Sequence, residues 1–95
     1  MPRRPRPTLD PYIADVAPTV EALTDYDYTL LVVYIRMLDA EAAKADWREV
    51  VRVLFKIDPE KEPARALRMY DSHMMRAHWM TQQGYRHLLM EDDGD

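Results

Sequence analysis

The chain has no cysteine, and only Gly84 and Gly94 among its 95 residues are glycine. Without cysteine there is no disulfide framework and no thiolate metal site, which suits a reducing cytoplasm. So little glycine excludes a phosphate-cradling loop, where backbone must approach the ligand unhindered by a Cβ. Long apolar runs are missing too. The longest, from Leu30 to Ile35, is six residues, against the roughly 20 needed to cross a bilayer. The opening Met-Pro-Arg-Arg-Pro-Arg-Pro-Thr is charged, but no apolar stretch follows it, so it does not read as a secretory signal. The expectation is a soluble cytoplasmic protein without a membrane partner.

What is present is a globular composition, 47% hydrophobic, and a length that fits one domain. The net charge of −4 is unevenly placed. Arg3, Arg4 and Arg6 make the first eight residues cationic, whereas Glu91, Asp92, Asp93 and Asp95 make the end anionic. The body between them is acidic as well, and an anionic body repels nucleic-acid phosphates at long range.

Four prolines and three arginines mark residues 1–11 as an extended basic arm. Residues 12–90 then read as a single helical domain, and 91–95 as an acidic tail. From Tyr12 to Leu23 the apolar residues scatter around Pro18, predicting an ordered lead-in with room for one helical turn. Thr24-Asp25-Tyr26-Asp27 is a Thr-x-x-Asp form of the capping box and starts a helix over about 25–44. Asp46-Trp47-Arg48-Glu49 starts a second, over about 47–56, with Trp47, Val50, Val51 and Leu54 at helical spacing. Residues 57–62 form a connector, and Pro63 suits the first turn of a third helix over about 63–83. Leu67, Tyr70, Met74 and Ala77, with Met80 or Thr81, trace its expected buried stripe. Gly84 stops it, and Tyr85–Met90 can form a short closing turn. The fold class is all-α, a small helical bundle.

The first helix carries two apolar faces. Leu30, Leu31, Tyr34 and Leu38 share one, with Val33 and Met37 at its edge; Tyr28, Val32 and Ile35 lie opposite. A surface helix needs only one such stripe. Either the lead-in or the closing turn covers the second, or it is a partner-binding surface, with Tyr28, Val32, Ile35 and Asp39 as its candidate residues. Met69, Met74, Met75, Met80 and Met90 leave a similar choice between core filling and an adaptable binding surface.

The second and third helices with their connector are a helix-turn-helix candidate, although six residues exceed the usual three or four. The ordinary alternative is a helical hairpin. For a DNA-binding reading the candidate contacts are Arg65, Arg68 and Arg76, assisted by the arginine arm. Asp58, Glu60 and Glu62 at the start of the third helix oppose it, so DNA binding is disfavoured. His73 and His78 are five residues apart, which does not place two metal ligands on one helical face. No nucleophile–base pattern and no paired-carboxylate cleft is legible, so neither an enzyme nor a cofactor, metal or small-molecule ligand is expected.

Five stretches carry a family resemblance: Leu23-Thr24-Asp25-Tyr26-Asp27, Leu38-Asp39-Ala40-Glu41-Ala42, Ala45-Asp46-Trp47-Arg48-Glu49, Ile57-Asp58-Pro59, and the segment from His78-Trp79-Met80-Thr81 through Gly84-Tyr85-Arg86-His87-Leu88-Leu89. From about Ala14 to Leu89 the chain resembles the extended-turn helix-turn-helix domain of proteobacterial conjugative-element regulators. The resemblance implies that the six-residue connector is the extended turn. It also implies one of two roles. Longer members are DNA-binding activators. Stand-alone, acidic members are antiactivators that bind the N-terminal domain of a cognate activator and block expression of transfer genes. Short, acidic and without a second domain, this chain is similar to the latter. The implied partner is that activator domain, with a quorum-sensing regulator as a second.

Overall fold

The computed structural model describes residues 11–84. Residues 1–10 of the arm, the Tyr85–Met90 closing turn, His87, Met90 and the acidic tail lie outside that range. Within it the protein is all-helical: α1 (Asp25–Thr29), α2 (Leu31–Ala42), α3 (Trp47–Val50, continued by a π-helical turn Val51–Phe55) and α4 (Pro63–Trp79, continued by a π-helical turn Met80–Gly84). Residues 11–24 are ordered without a helical turn.

α1 and α3 start where a side chain supplies a cap, and α4 starts on a proline. At α1 the Thr24 hydroxyl accepts from the Asp27 backbone N–H (3.2 Å), and the Asp27 carboxylate accepts from the Thr24 backbone N–H (2.9 Å). This completes the capping box and satisfies two otherwise orphaned donors. Asp46 accepts from the Arg48 N–H at the start of α3. Pro63 occupies the first turn of α4, where its missing N–H costs nothing.

One helix expected over 25–44 is two. Leu30 leaves helical geometry (φ −95°, ψ 11°) and separates α1 from α2. The Thr29 hydroxyl donates to the Asp25 carbonyl one turn back (3.1 Å), a back-bond that bends helices. Leu30 itself is fully buried at the bend. α2 ends in a complete Schellman motif: the Lys44 N–H donates to Glu41 O and the Ala45 N–H to Ala40 O. Lys44 takes the left-handed conformation (φ 61°) that glycine usually fills.

The core is built from Leu30, Val33, Tyr34 and Met37 of α2 and its bend, Val50, Val51 and Phe55 of α3, and Ala66, Met69, Met74, Ala77 and Met80 of α4. α2 and α4 form its main interface. Two predicted stripes hold in part: Val50 and Val51 of the second helix, and Met74, Ala77 and Met80 of the third, are buried as expected. In α3 the wider π turn brings Phe55 fully inside and leaves Leu54 half-buried. In α4 the inward face is Ala66, Met69, His73, Met74, Arg76, Ala77 and Met80, while Leu67 is exposed and Tyr70 half-buried. The cause is that two polar residues, His73 and Arg76, face inward, and a count of apolar positions does not register them.

Candidate functional site

At the centre of the fold, Arg76 and Asp27 form a buried bidentate ion pair. Arg76 Nε donates to Asp27 Oδ1 (3.0 Å) and Nη2 to Oδ2 (2.7 Å). Arg76 is only 3% exposed and Asp27 is completely enclosed. Removing two charges from water is stable only when their remaining hydrogen-bonding groups are also used. Here they are. Arg76 Nη1 donates to Val20 O (2.6 Å), Nη2 also donates to Ala22 O (2.7 Å), and the guanidinium lies 3.9 Å from the centre of the Trp79 ring. Tyr34 donates its hydroxyl to Asp27 Oδ1 (2.9 Å). Burial alone raises the Asp27 pKa, but hydrogen bonds from Arg76, the Thr24 backbone and Tyr34 outweigh it and hold the carboxyl below its ordinary range. Burial, with Asp27 beside it, pushes the Tyr34 hydroxyl strongly upward.

A second network lies beside it. The Ala14 N–H donates to the Tyr26 hydroxyl (2.9 Å), which lies 2.6 Å from His73 Nε2. His73 Nδ1 is 2.7 Å from Met69 O. A carbonyl can only accept, so Nδ1 carries the ring proton and Nε2 accepts from Tyr26. Burial lowers the His73 pKa against the opposing influence of the Met69 carbonyl and Asp27. Burial also raises Tyr26 to about 12. Among the described residues every enclosed side-chain nitrogen and oxygen has a hydrogen-bond partner. Asp27, His73 and Arg76 are buried in these networks, and Tyr26 is half-buried at their edge.

The two networks decide where the lead-in runs. Besides the contacts of Ala14, Val20 and Ala22, the Ala17 N–H donates to the Ser72 hydroxyl (3.0 Å), and Asp15 pairs with Arg65 (2.9 Å). The lead-in is therefore strapped along α4 and α1, leaving the outer face of α2 open. On that face Ile35 is 57% exposed, Asp39 is exposed and Val32 is half-buried. Tyr28 is a correction. It belongs to α1, on the other side of the Leu30 bend, and at 7% exposure it is enclosed rather than open to a partner. Next to Ile35, Arg36 and Ala40 wall a hollow of about 240 Å³ against α3, where Val53 and Leu54 form the opposite side. Val53 is exposed.

The residues grouped for DNA contact are not brought together as a free set. Arg76 is a second correction, because the ion pair with Asp27 consumes it in the interior. Arg65 is bridged to Asp15 and Glu62. Arg68 is exposed on α4. The connector before α4 presents Asp58, Glu60 and Glu62 to solvent beside Lys61, and Arg52 of α3 is held by Glu49 and Glu60. His78 contacts Glu41 (2.7 Å) rather than His73. Among the described residues no group of three metal-ligating side chains converges, and no helix is long and apolar enough to cross a membrane.

Sequence reasoning missed the Asp27–Arg76 pair by treating one member as a cap and the other as a surface cation. A signal was available: on the helical wheel of α4, Arg76 falls directly beside Met69 and close to Met80 on the inward face, one turn before Trp79. The described residues thus define a small all-helical domain. No family model, curated protein or solved structure matches the chain.

Proposed function

We propose that the chain works by binding another polypeptide: an antiactivator that occupies the N-terminal domain of a cognate transcriptional activator and blocks expression of conjugative-element transfer genes. The observation that supports this most is the condition of the cations on α4. In a helix-turn-helix this helix carries the groove contacts, yet here Arg76 is sequestered and Arg65 neutralised, behind an acidic connector. Such a surface meets a phosphate backbone with repulsion. An open apolar side chain at Ile35, next to the hollow between α2 and α3, suits a protein partner. An interface of ordinary size needs about 800 Å² per partner, which the outer side of α2 and α3 can present.

The test uses Ile35→Asp in the full chain, with titration calorimetry against the activator's N-terminal domain. The exposed site tolerates the charge, so helicity and Tm stay close to the parent protein while binding is lost. Collapse of the fold, or undiminished binding, sinks the assignment of this face. Val32→Asp is the less clean variant, because Val32 is half-buried. A gel-shift titration with promoter duplex at low salt addresses the rival DNA-binding role. Tight binding with a steep salt slope establishes that role instead.

A further inference from the structure

A different surface lies on the outward face of α4, at the end of α2. Two hollows lie there on either side of Met75, which is 72% exposed, the highest value for any large apolar residue of α4. The larger, about 570 Å³, is lined by Tyr70, Met75 and Trp79 together with Glu41, Asp71 and His78. The smaller, about 190 Å³, lies between Pro18 of the lead-in and the same Met75 and Trp79. Trp79 therefore walls both, and it is held in place by the Arg76 guanidinium that Asp27 fixes from below. A rigid aromatic wall beside a flexible thioether is the makeup of a peptide-docking site, because one orients the ligand without further ordering and the other adapts to it.

The charge of the larger hollow selects the occupant. Its lining includes two carboxylates, Glu41 and Asp71, and neither lysine nor arginine. Glu41 accepts from His78 Nε2 and so faces the hollow in a fixed position. Burial raises the Tyr70 hydroxyl pKa, and the charges of Glu41 and Asp71 add to that rise. The smaller hollow does contain Arg76, but its charge is cancelled by Asp27.

We infer that this face of α4 receives a basic amphipathic segment of a partner protein. Two apolar side chains of that segment sit either side of Met75, and an arginine or lysine lies against Glu41 and Asp71. This rests on the reading that the chain functions by binding polypeptide, and it supplies the partner's chemistry at a second face, distinct from the Ile35 side of α2.

A fluorescein-labelled helical peptide tests it, with two leucines one turn apart flanked by arginines, alongside an otherwise identical peptide with glutamates for arginines. Binding to the full chain is followed by anisotropy and by methyl and indole NMR signals. The arginine peptide binds saturably, at least about tenfold more tightly than the glutamate peptide, and shifts the Met75 methyl and Trp79 indole signals while leaving Ile35 in place. Glu41→Lys with Asp71→Lys reverses the preference between the two peptides. Asp71→Lys alone, which keeps the Glu41–His78 hydrogen bond, weakens the arginine peptide by several-fold. Absence of saturable binding, indifference to the charge reversal, or shifts centred on Ile35 overturns the proposal. Ile35→Asp leaves peptide binding unchanged even where it abolishes capture of the activator domain, so the two readings fail separately.

Discussion

Asp27 has two structural tasks at once. Its carboxylate closes the capping box of α1 and balances Arg76 in the interior. Substituting either partner strands the other as an uncompensated buried charge, which costs about 3–5 kcal/mol. Arg76→Met is therefore expected to lower stability by that amount in urea unfolding, and Asp27→Asn by a similar amount. The double variant loses less than the two separate losses combined, because the second substitution removes the stranded charge left by the first. A strictly additive result argues against direct coupling between the pair.

His73 and Asp27 both have folded-state pKa values below their unfolded values. For each, the unfolded chain binds protons more readily, so stability rises with pH. The His73 contribution is complete above an unfolded value of about 6.5 and is lost as pH falls toward its lowered folded value. The Asp27 contribution is lost only below about pH 4, the unfolded carboxyl range. Groups facing His73 are Tyr26 and Asp27 from α1, Phe55 from α3 and Ser72 on its own helix. Protonation turns Nε2 from acceptor to donor, so the Tyr26 hydroxyl proton loses its acceptor. Tm measured between pH 7.5 and 5, a span chosen to bracket the unfolded histidine value, falls in the parent protein and falls less in His73→Gln. Equal slopes in both proteins assign the acid sensitivity to other groups.

At the scale of elements, boundaries were legible in the sequence because they are local chemistry. Thr24, Asp46 and Pro63 each announce a start from a few adjacent residues, and the structure places helices after all three. Interiors were less legible. The bend at Leu30 depends on a hydroxyl back-bond from Thr29, and the outward turn of Leu67 depends on two polar residues finding partners far away in the chain. Apolar periodicity carries no record of either. The end of α2 offers a direct check on backbone energetics. Lys44 has the left-handed conformation disfavoured for a residue with a Cβ by roughly 1 kcal/mol. Lys44→Gly is expected to raise stability by up to that amount in chemical denaturation, without altering the helical signal of circular dichroism. A loss of stability shows that the lysine side chain contributes more than its backbone costs.

For the molecule as a whole, the all-α class was readable from composition and spacing, and an acidic body foreshadowed the neutralised cations. The candidate surface was readable in part. Ile35 and Asp39 are open as the two-faced helix suggested, but Tyr28 required knowledge of the bend, and Arg76 required knowledge of what faces it across the core. Helical spacing places residues on a face; whether that face is covered depends on the path of a distant segment. Here that segment is the lead-in, which covers α4 and α1 instead of α2. At this scale the expected outcome is preferential association with protein over duplex DNA at every salt concentration. Anisotropy titrations against both at matched ionic strength measure it.

That path has a kinetic meaning. The amides of Ala14 and Ala17 are held by side chains of α1 and α4 rather than by a helical ladder, so an irregular stretch should exchange its protons as slowly as the helix beneath it. In Arg76→Met those two amides are expected to become fast together in deuterium-exchange measurements, while α2 amides such as that of Tyr34 keep more of their protection. Residues before the first helix would then belong to the same cooperative opening unit as the last one.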